Sequence, residues 1–410
     1  MNTKSFFASA SRATVGSYWP QIMPLPGELI DTIIDSLQGQ PPALKRCALV
    51  CKSWVPRSHY HLFHSVTLRP RNATEFVKIL SSPICTFARY VNHVTFFMPS
   101  GWIDETVPFL TPLFAVHSLS FGDMDDVRSE TVNTLFTTFR AVVSLELHNS
   151  FDTVEEHLDF VAGFRSLKKL IVFHSSNYME EVSPGRHYQG HHWQLRTLVL
   201  SCSFLSDILR WVTFHQPNPQ IHSLCMFDIR QICLPDVQHF LLALAPSLRR
   251  LRLIFPLSYT DSHAYLRYVD ISCLRELRSI SLHLRSRDWF GEPIPNDFKI
   301  LSQITSAHMK EIIFYFWCDN DSFDWGELVN VLSQPQFSNL RRIHFRLRLF
   351  SGGTTKDQIR SLLHNWEVRR ILYLTEEHQE KMDYDFFGSC ECTRRSSCFA
   401  VLAKLRNNSR

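Results

Sequence analysis

Residues 248–253 read Leu-Arg-Arg-Leu-Arg-Leu, with leucine at the first, fourth and sixth positions, and this spacing returns along most of the chain. The other clear copies are Val142-x-x-Leu145-x-Leu147, Leu167-x-x-Leu170-x-Val172, Leu195-x-x-Leu198-x-Leu200, Ile221-x-x-Leu224-x-Met226, Leu277-x-x-Ile280-x-Leu282, Met309-x-x-Ile312-x-Phe314, Leu340-x-x-Ile343-x-Phe345 and Val368-x-x-Ile371-x-Tyr373. Val94 and Leu119 hold the fourth position of two looser copies. Successive fourth positions lie 25 to 32 residues apart. Such regular spacing predicts a repeat array.

The intervals between these phrases carry helical patterns. Residues 152–164 place Val154, Leu158 and Val161 on one helix face, and similar patterns cover 204–214, 236–244, 323–332 and 355–366. Each unit is therefore predicted to hold one short strand and one helix. We expect an α/β repeat over residues 66–388, with parallel strands on a concave side and helices on a convex side.

This unit resembles the leucine-rich repeat in its long, helix-bearing form. One feature departs from that family, because the asparagine or cysteine that normally follows the sixth position is mostly absent. Ser150, Ser175 and Ser203 stand there in three units. We expect these serines to hydrogen-bond loop backbone and the arc to be irregular.

Residues 21–65 have a different pattern. Apolar residues between Leu29 and Leu37 share one helix face, and after a polar break at 39–42 a second apolar run covers more than half a helix before Pro56. Two short helices are predicted, with Pro56 closing the second. A segment of about 40 residues is too small to bury so much apolar surface alone, so it needs a partner.

The order of residues here, Leu25-Pro26-x-Glu28-Leu29, Ile33, Leu37, Leu44, Cys47 and Val50-Cys51-x-x-Trp54, resembles the F-box. That resemblance implies the substrate-recognition subunit of a ubiquitin ligase, which docks on a Skp-type adaptor and a cullin scaffold while the repeats hold a target protein. The adaptor-binding residues it implies are Leu25, Pro26, Glu28, Leu29, Ile33, Leu44, Val50, Cys51 and Trp54. Two alternatives remain: these side chains pack only within the helical segment, or the chain is a repeat scaffold for protein–protein interaction without any ligase.

The concave side should carry the target. Side chains alternate along a strand, so the third and fifth positions face away from the apolar core. In the back half these and neighbouring positions are rich in basic residues: Arg250, Arg252, Arg342, His344, Arg346 and Arg370. Such a stripe can select an acidic or phosphorylated segment. The competing interpretations are a merely solvated face and a nucleic-acid surface, and the net charge of +4 gives no support to the latter.

Composition sets wider bounds. With 45% hydrophobic and 20% charged residues in 410, the chain can bury a large core. Its 11 cysteines are odd in number and scattered through apolar segments, which favours reduced thiols and hence the cytoplasm or nucleus. We expect residues 1–20 to be a disordered lead-in and 389–410 a terminal cap or tail, with no membrane segment. A mitochondrial transit segment is the competing interpretation of the serine-rich, acid-free start.

Motifs for catalysis are absent from the sequence. It has no glycine-rich phosphate loop, no G-x-S-x-G elbow and no H-E-x-x-H, so we expect a non-catalytic subunit without cofactors. Two clusters contain metal-ligand residue types but lack the paired spacing of a zinc site: His187, His191 and His192, and Cys390, Cys392 and Cys398. We therefore expect no metal.

Overall fold

A computed structural model of the chain describes residues 25–376, except positions 123, 125, 149, 152, 217 and 228 and the segments 175–193, 255–267, 286–297, 319–323 and 350–355. The chain divides into two compact units, Met1–Phe63 and His64–Arg410. We call them the helical unit and the repeat unit. The expected lead-in and the expected tail lie outside the described residues.

The helical unit contains three helices rather than the predicted two. They are α1 (Gly27–Ser36), α2 (Pro41–Val50) and α3 (Val55–Phe63). Gly39 makes the turn between the first two with a φ of 91°, a conformation that favours glycine. The sequence analysis predicts that Pro56 ends the second helix, and this prediction is wrong. Pro56 lies in the first turn of α3, where the N–H group that proline lacks would have had no partner within the helix.

The core of the helical unit is small. α3 contacts both α1 and α2, and the buried apolar side chains among the described residues are Ile34, Leu44 and Cys47. Three helices with so few buried side chains leave much of their apolar surface exposed.

The repeat unit is built on one sheet of twelve parallel strands in sequential order. The strands are β1 (Ser65–Leu68), β2 (His93–Phe96), β3 (Ser118–Phe121), β4 (Ser144–His148), β5 (Lys169–Phe173), β6 (Thr197–Ser201), β7 (Ser223–Met226), β8 (Arg250–Leu253), β9 (Ser279–Arg285), β10 (Glu311–Cys318), β11 (Arg342–Leu349) and β12 (Leu372–Glu376). This sheet, with its connecting helices, is an α/β repeat of the leucine-rich-repeat-like kind.

The register of the sheet follows the repeat phrase. Each fourth position pairs with the next, from Val94 through Leu145 and Leu251 to Ile343, and Val66 adds one further repeat at the start. The last phrase is the exception. Leu372, and not the predicted Ile371, pairs with Ile343, so β12 is displaced by one residue.

Helices connect the strands. They are α4 (Pro70–Leu80), α5 (Ser100–Thr106), α6 (Ser129–Thr138), α7 (Val154–Ala162), α8 (Leu205–His215), α9 (Leu234–Leu244), α10 (Phe298–Ser302), α11 (Trp325–Leu332), α12 (Lys356–Leu362) and α13 (His364–Val368). Short 3₁₀ helices cover Ala88–Tyr90, Val107–Phe109, Gln231–Cys233 and Pro335–Phe337. Parallel crossovers are right-handed, so sequential strand order puts these helices on one face of the sheet. The other face we call the far face.

The core lies between sheet and helices. From Val142 to Phe345, every residue at the first, fourth and sixth positions is at most 3% exposed, as the sequence predicts. Aromatic rings stack between neighbouring strands at the sixth position: Phe96 on Phe121 and Phe314 on Phe345, each with ring centroids 4.8 Å apart. Only stacking of successive repeats covers these side chains, so no single repeat has a core of its own.

Buried serines join neighbouring repeats through loop backbone. Ser150 Oγ lies 3.3 and 3.2 Å from the carbonyl oxygens of Phe121 and Gly122, which confirms the expectation for this serine. Ser203 is also buried, and Ser175 lies outside the described residues. Two serines that the sequence analysis did not single out, Ser247 and Ser306, make equivalent bonds later in the array.

Candidate functional site

The first candidate surface lies on the helical unit. Leu29 and Ile33 are four residues apart on α1, so they share one side of the helix, and Leu25 lies just before it. All three are exposed, Leu29 to 51%. Ile34, next to Ile33, is fully buried instead. The apolar residues of α1 are therefore divided between the core and an outer face.

The end of α2 adds to this apolar surface. Val50 and Cys51, both in the predicted set, are exposed, and so is Leu49, at 86%. Leu49 was not among the predicted site residues, although its place in an over-apolar helix was a sufficient signal. The Ser53 hydroxyl lies 3.0 Å from the Cys51 thiol and lowers the pKa of that thiol.

The other predicted adaptor residues differ in accessibility. Pro26 and Glu28 are exposed, and Trp54 is half-buried just before α3. Leu44 is 1% exposed, so it packs inside the helical unit and offers no surface to a partner in this conformation. The predicted set therefore contains both residues that pack inside the helical unit and residues that are exposed on it.

A charged cluster holds α1 against α3. Arg57 donates from Nε and Nη2 to the two carboxylate oxygens of Asp35, and His61 Nε2 donates to Asp35 Oδ1 at 2.7 Å. The hydrogen bonds from Arg57 and then His61 lower the pKa of Asp35 to about 2. This cluster holds in place the helix that carries Leu29 and Ile33.

The second candidate surface is the far face of the sheet. The register places Arg250, Ser279, Glu311 and Arg342 side by side on β8 to β11. Ser279 Oγ donates to one carboxylate oxygen of Glu311 at 3.0 Å, and Arg342 Nη1 donates to the other at 3.4 Å. Arg250 and Arg342 are exposed, and Glu311 lies between them, so an acidic residue interrupts the basic stripe in this row.

Two further predicted arginines pack on aromatic rings. Arg252 is only 7% exposed, and its guanidinium lies 4.2 Å from the ring centroid of Tyr315 and 5.4 Å from that of Phe227. Arg346 lies over the same Tyr315 ring at 5.2 Å. A guanidinium over a ring gains from the ring's negative face. Alternating guanidinium and aromatic groups therefore form a packed layer here instead of a row of solvated charges.

His344 and Arg370 do not contribute as the sequence predicts. His344 is 5% exposed, bonds to Thr375 Oγ1 at 2.8 Å, and has its pKa lowered to about 4 by burial and by Arg346 and Arg342. It is therefore neutral at pH 7. Arg370 precedes β12 in a left-handed conformation with a φ of 57°, so it is not a far-face strand residue. The displaced register puts Tyr373 opposite His344 instead.

A polar cluster in the front half of the far face was missed by sequence reasoning. His93 is hydrogen-bonded to Ser118 Oγ at 2.8 Å and to Thr95 Oγ1 at 2.9 Å. Two strands further, His148 Nε2 donates to the buried carboxylate of Glu146 at 2.7 Å. His93 and Ser118 hold the third position of the two looser repeats, and Glu146 holds the fifth position of the clear copy that begins at Val142, so reading these positions would have found all three.

Glu146 is ionised despite its burial. Burial raises its pKa, but the hydrogen bond from His148 and the fields of His93 and Lys169 outweigh this, so the pKa lies below its usual value. Burial lowers the pKa of His93. A charged carboxylate held beside imidazoles gives the front half of the far face a character unlike that of the back half.

Thiol and metal-ligand chemistry is sparse in the part of the chain that the structure describes. Seven cysteines there, from Cys47 to Cys273, are free thiols, and burial raises the pKa of Cys225 to about 12. Within the described ranges no three His, Cys, Asp or Glu side chains gather as a metal site requires. The histidine cluster at 187–192 and the cysteine cluster at 390–398, which the sequence analysis considered as metal sites, lie outside those ranges. No described helix has the length and apolar character needed to cross a membrane.

Comparisons with known proteins add little to this geometry. No family model matches the chain, and no curated protein matches it. Among solved structures, a crystallised protein of Bacteroides fragilis is similar to 73% of this chain and 77% of its own, with 13% sequence identity and a TM-score of 0.33. The chain is thus an α/β repeat by its own sheet and register.

Proposed function

We propose that this chain is the substrate-recognition subunit of a Skp/cullin/F-box type ubiquitin ligase. The helical unit docks on the Skp-type adaptor, and the far face of the repeat unit binds the target protein. The chain performs no bond chemistry itself. It raises the effective concentration of target lysines near the ubiquitin-carrying enzyme that the cullin scaffold recruits.

One observation carries the proposal: the helical unit keeps its apolar side chains on the outside. Five apolar residues are all more than 40% exposed: Leu25 just before α1, Leu29 and Ile33 on α1, and Leu49 and Val50 at the end of α2. Single exposed apolar residues are ordinary, but five in one unit of this size call for a partner. Burying such anchors at an interface typically contributes about 2 kcal/mol each.

The test is recovery of the adaptor and cullin with the full chain. Leu29→Ala and Val50→Ala together remove two exposed anchors without touching the core residues Ile34 and Leu44. Leu242→Ala is the matched control, because Leu242 is equally exposed but lies on α9. We expect the control to recover as much adaptor as the wild type, and the double variant at least about tenfold less. Circular dichroism verifies that all three proteins are folded.

Equal adaptor recovery by the wild type and the double variant contradicts the ligase proposal. The chain is then better described as a repeat scaffold for protein–protein interaction. Trp54 is a poorer choice for this test than the sequence alone implies, because it is half-buried and its loss also affects the packing of the helical unit.

For the target, the far face supports an acidic segment. Arg250 and Arg342 are its exposed predicted cations, and guanidinium groups bind carboxylates through paired hydrogen bonds. Crosslinking mass spectrometry of the adaptor-bound complex should place target peptides near both, and Arg250→Glu with Arg342→Glu should remove those crosslinks while adaptor recovery stays unchanged. A nucleic-acid surface would instead give binding that weakens steeply with salt.

A further inference from the structure

A cavity of the repeat unit lies where α6 and α7 end. Its volume is about 530 Å³, and its lining includes Phe136, Thr137, Arg140, Gly163, Arg165 and Ser166. α6 ends at Thr138 and α7 at Ala162, so the lining comes from the last turns of two neighbouring helices and the segments that follow them. The volume suits a ligand of a few residues' size.

One wall of this cavity is aromatic. The Phe136 ring meets Phe160 and Phe164 at centroid distances of 5.6 and 5.1 Å, the second edge to face. The ring also lies so close to Gly163 that any Cβ at this position would collide with it. The glycine therefore lets an aromatic ring approach the end of α7 closely.

Two arginines add positive charge to the lining of the cavity. Arg140 and Arg165 are exposed and occupy the same place in consecutive repeats, five residues before Leu145 and Leu170. Within the described part of the chain, neither guanidinium has a hydrogen bond or an ion pair. Two cations without acidic partners on one cavity favour an anionic ligand.

The helix ends narrow the choice of anion. The last carbonyl groups of a helix have no intrahelical donor and together carry about half a negative charge. A doubly charged phosphate is repelled by two such ends more than a singly charged carboxylate is. The same carbonyls accept hydrogen bonds from peptide N–H groups. A ligand with one carboxylate, nearby N–H groups and an apolar side chain matches all three features.

We propose that this cavity binds the C-terminal residue of a polypeptide. Arg140 and Arg165 hold the terminal carboxylate, and the Phe136 ring packs on an apolar terminal side chain. This binding does not depend on adaptor docking by the helical unit. The competing account is that both arginines only complement the dipoles of their own helices.

The test uses the full chain immobilised on beads and two pools of peptides with three randomised final residues. One pool has free C-terminal carboxylates and the other has C-terminal amides. We expect at least fivefold greater recovery of the acid pool, enriched in apolar last residues. Arg140→Gln with Arg165→Gln should abolish the difference. Arg275→Gln is the matched control and should preserve it, because Arg275 holds the same repeat position outside the cavity.

A second variant separates shape from charge. Thr137→Trp leaves both arginines in place and fills the cavity from an exposed position, so it should also lower recovery of the acid pool. Equal recovery of acid and amide pools by the wild type would overturn the proposal, and so would an acid preference that survives the double arginine variant. Competition of the acid pool by millimolar inorganic phosphate alone would show a simple anion site and would also overturn it. Thermal unfolding confirms that each variant is folded.

Discussion

Asp35 and Arg57 are joined by two parallel hydrogen bonds, from Nε to Oδ1 at 2.5 Å and from Nη2 to Oδ2 at 2.6 Å, and this pair connects the first and last helices of the helical unit. Such a paired geometry is the strongest form of an arginine–carboxylate contact. Asp35 lies on the same helix as Leu29 and Ile33, which are proposed to contact the adaptor, so loss of the pair should make that helix less stable.

We predict that Asp35→Asn loosens α1. Both side chains of the pair are more than a third exposed, so solvent screening limits the loss to about 1 kcal/mol. Hydrogen exchange of amides in α1 and α3 should become about fivefold faster, with the repeat unit unchanged. Asp31→Asn, on the same helix, is the control, and unchanged exchange in the Asp35 variant would contradict the prediction.

The same pair predicts a dependence on pH. Arg57 and His61 hold the pKa of Asp35 at about 2, below its ordinary value near 4. A carboxyl group with a lowered folded pKa stabilises fully above pH 4, and that stabilisation is lost as the pH falls towards 2. The difference in α1 exchange between wild type and Asp35→Asn should therefore disappear across this window.

A second prediction concerns Ser306. Its hydroxyl lies 2.7 Å from the carbonyl oxygens of both Arg275 and Leu277 in the preceding repeat, and the residue is 1% exposed. Ser306→Ala should lower the free energy of unfolding by about 1–3 kcal/mol, because buried carbonyl groups lose their donor. Ser302→Ala is the control, since that exposed hydroxyl bonds only within its own helix. Urea titration of both variants checks this, and equal midpoints would exclude a bridging role.

The third prediction compares two glycines. At Gly163 a methyl group would collide with the Phe136 ring, so Gly163→Ala should destabilise the repeat unit by about 1–3 kcal/mol through overpacking. At Gly101 nothing lies within 4 Å of the added methyl, so Gly101→Ala in α5 should be neutral or stabilising. Thermal unfolding midpoints measure both. Similar shifts in the two variants would mean that the ring moves aside without cost.

The fourth prediction concerns His157, which is buried among the rings of Phe151, Phe204 and His174. Burial lowers its pKa to about 4. It is neutral when folded and charges when unfolded below its ordinary pKa near 6.5. Its contribution is therefore full above pH 6.5 and is lost as the pH falls towards 4, by on the order of 3 kcal/mol.

Replacing this histidine should flatten the pH profile. His157→Phe keeps a ring in the cluster, and its unfolding free energy should fall less between pH 7 and 4.5 than that of the wild type. His239→Gln, at an exposed position, should follow the wild-type profile. Parallel profiles for wild type and His157→Phe would show that another group causes the acid sensitivity.

The fold of the repeat unit was predictable because its signal is redundant. One phrase recurs, and burial of its first, fourth and sixth residues requires the same strand phase in each copy. The predicted register of the last copy was wrong because Ile371 and Tyr373 alternate with Leu372 and Leu374. Two registers one residue apart are therefore equally apolar. The left-handed turn at Arg370 decides between them, and nothing in that residue type signals it.

The candidate surfaces were less predictable. Alternation shows which face a strand residue points to but not what covers it, so the packing of Arg252 on Tyr315, 63 positions away and two strands across, could not be read from sequence. Pro56 was ambiguous because proline both ends helices and begins them. In the helical unit the F-box-like order selected residues on both the inside and the outside.

The common phase of β2 to β11 has an evolutionary consequence. Each strand bonds only to its two neighbours, and every fourth position occupies the same point in the sheet. Loss or duplication of one whole interval would therefore bring together strands that still match. The array can change its number of repeats by recombination between copies, whereas insertion of a single residue within a strand would interrupt it. Such events would change the extent of the far face in steps of one repeat.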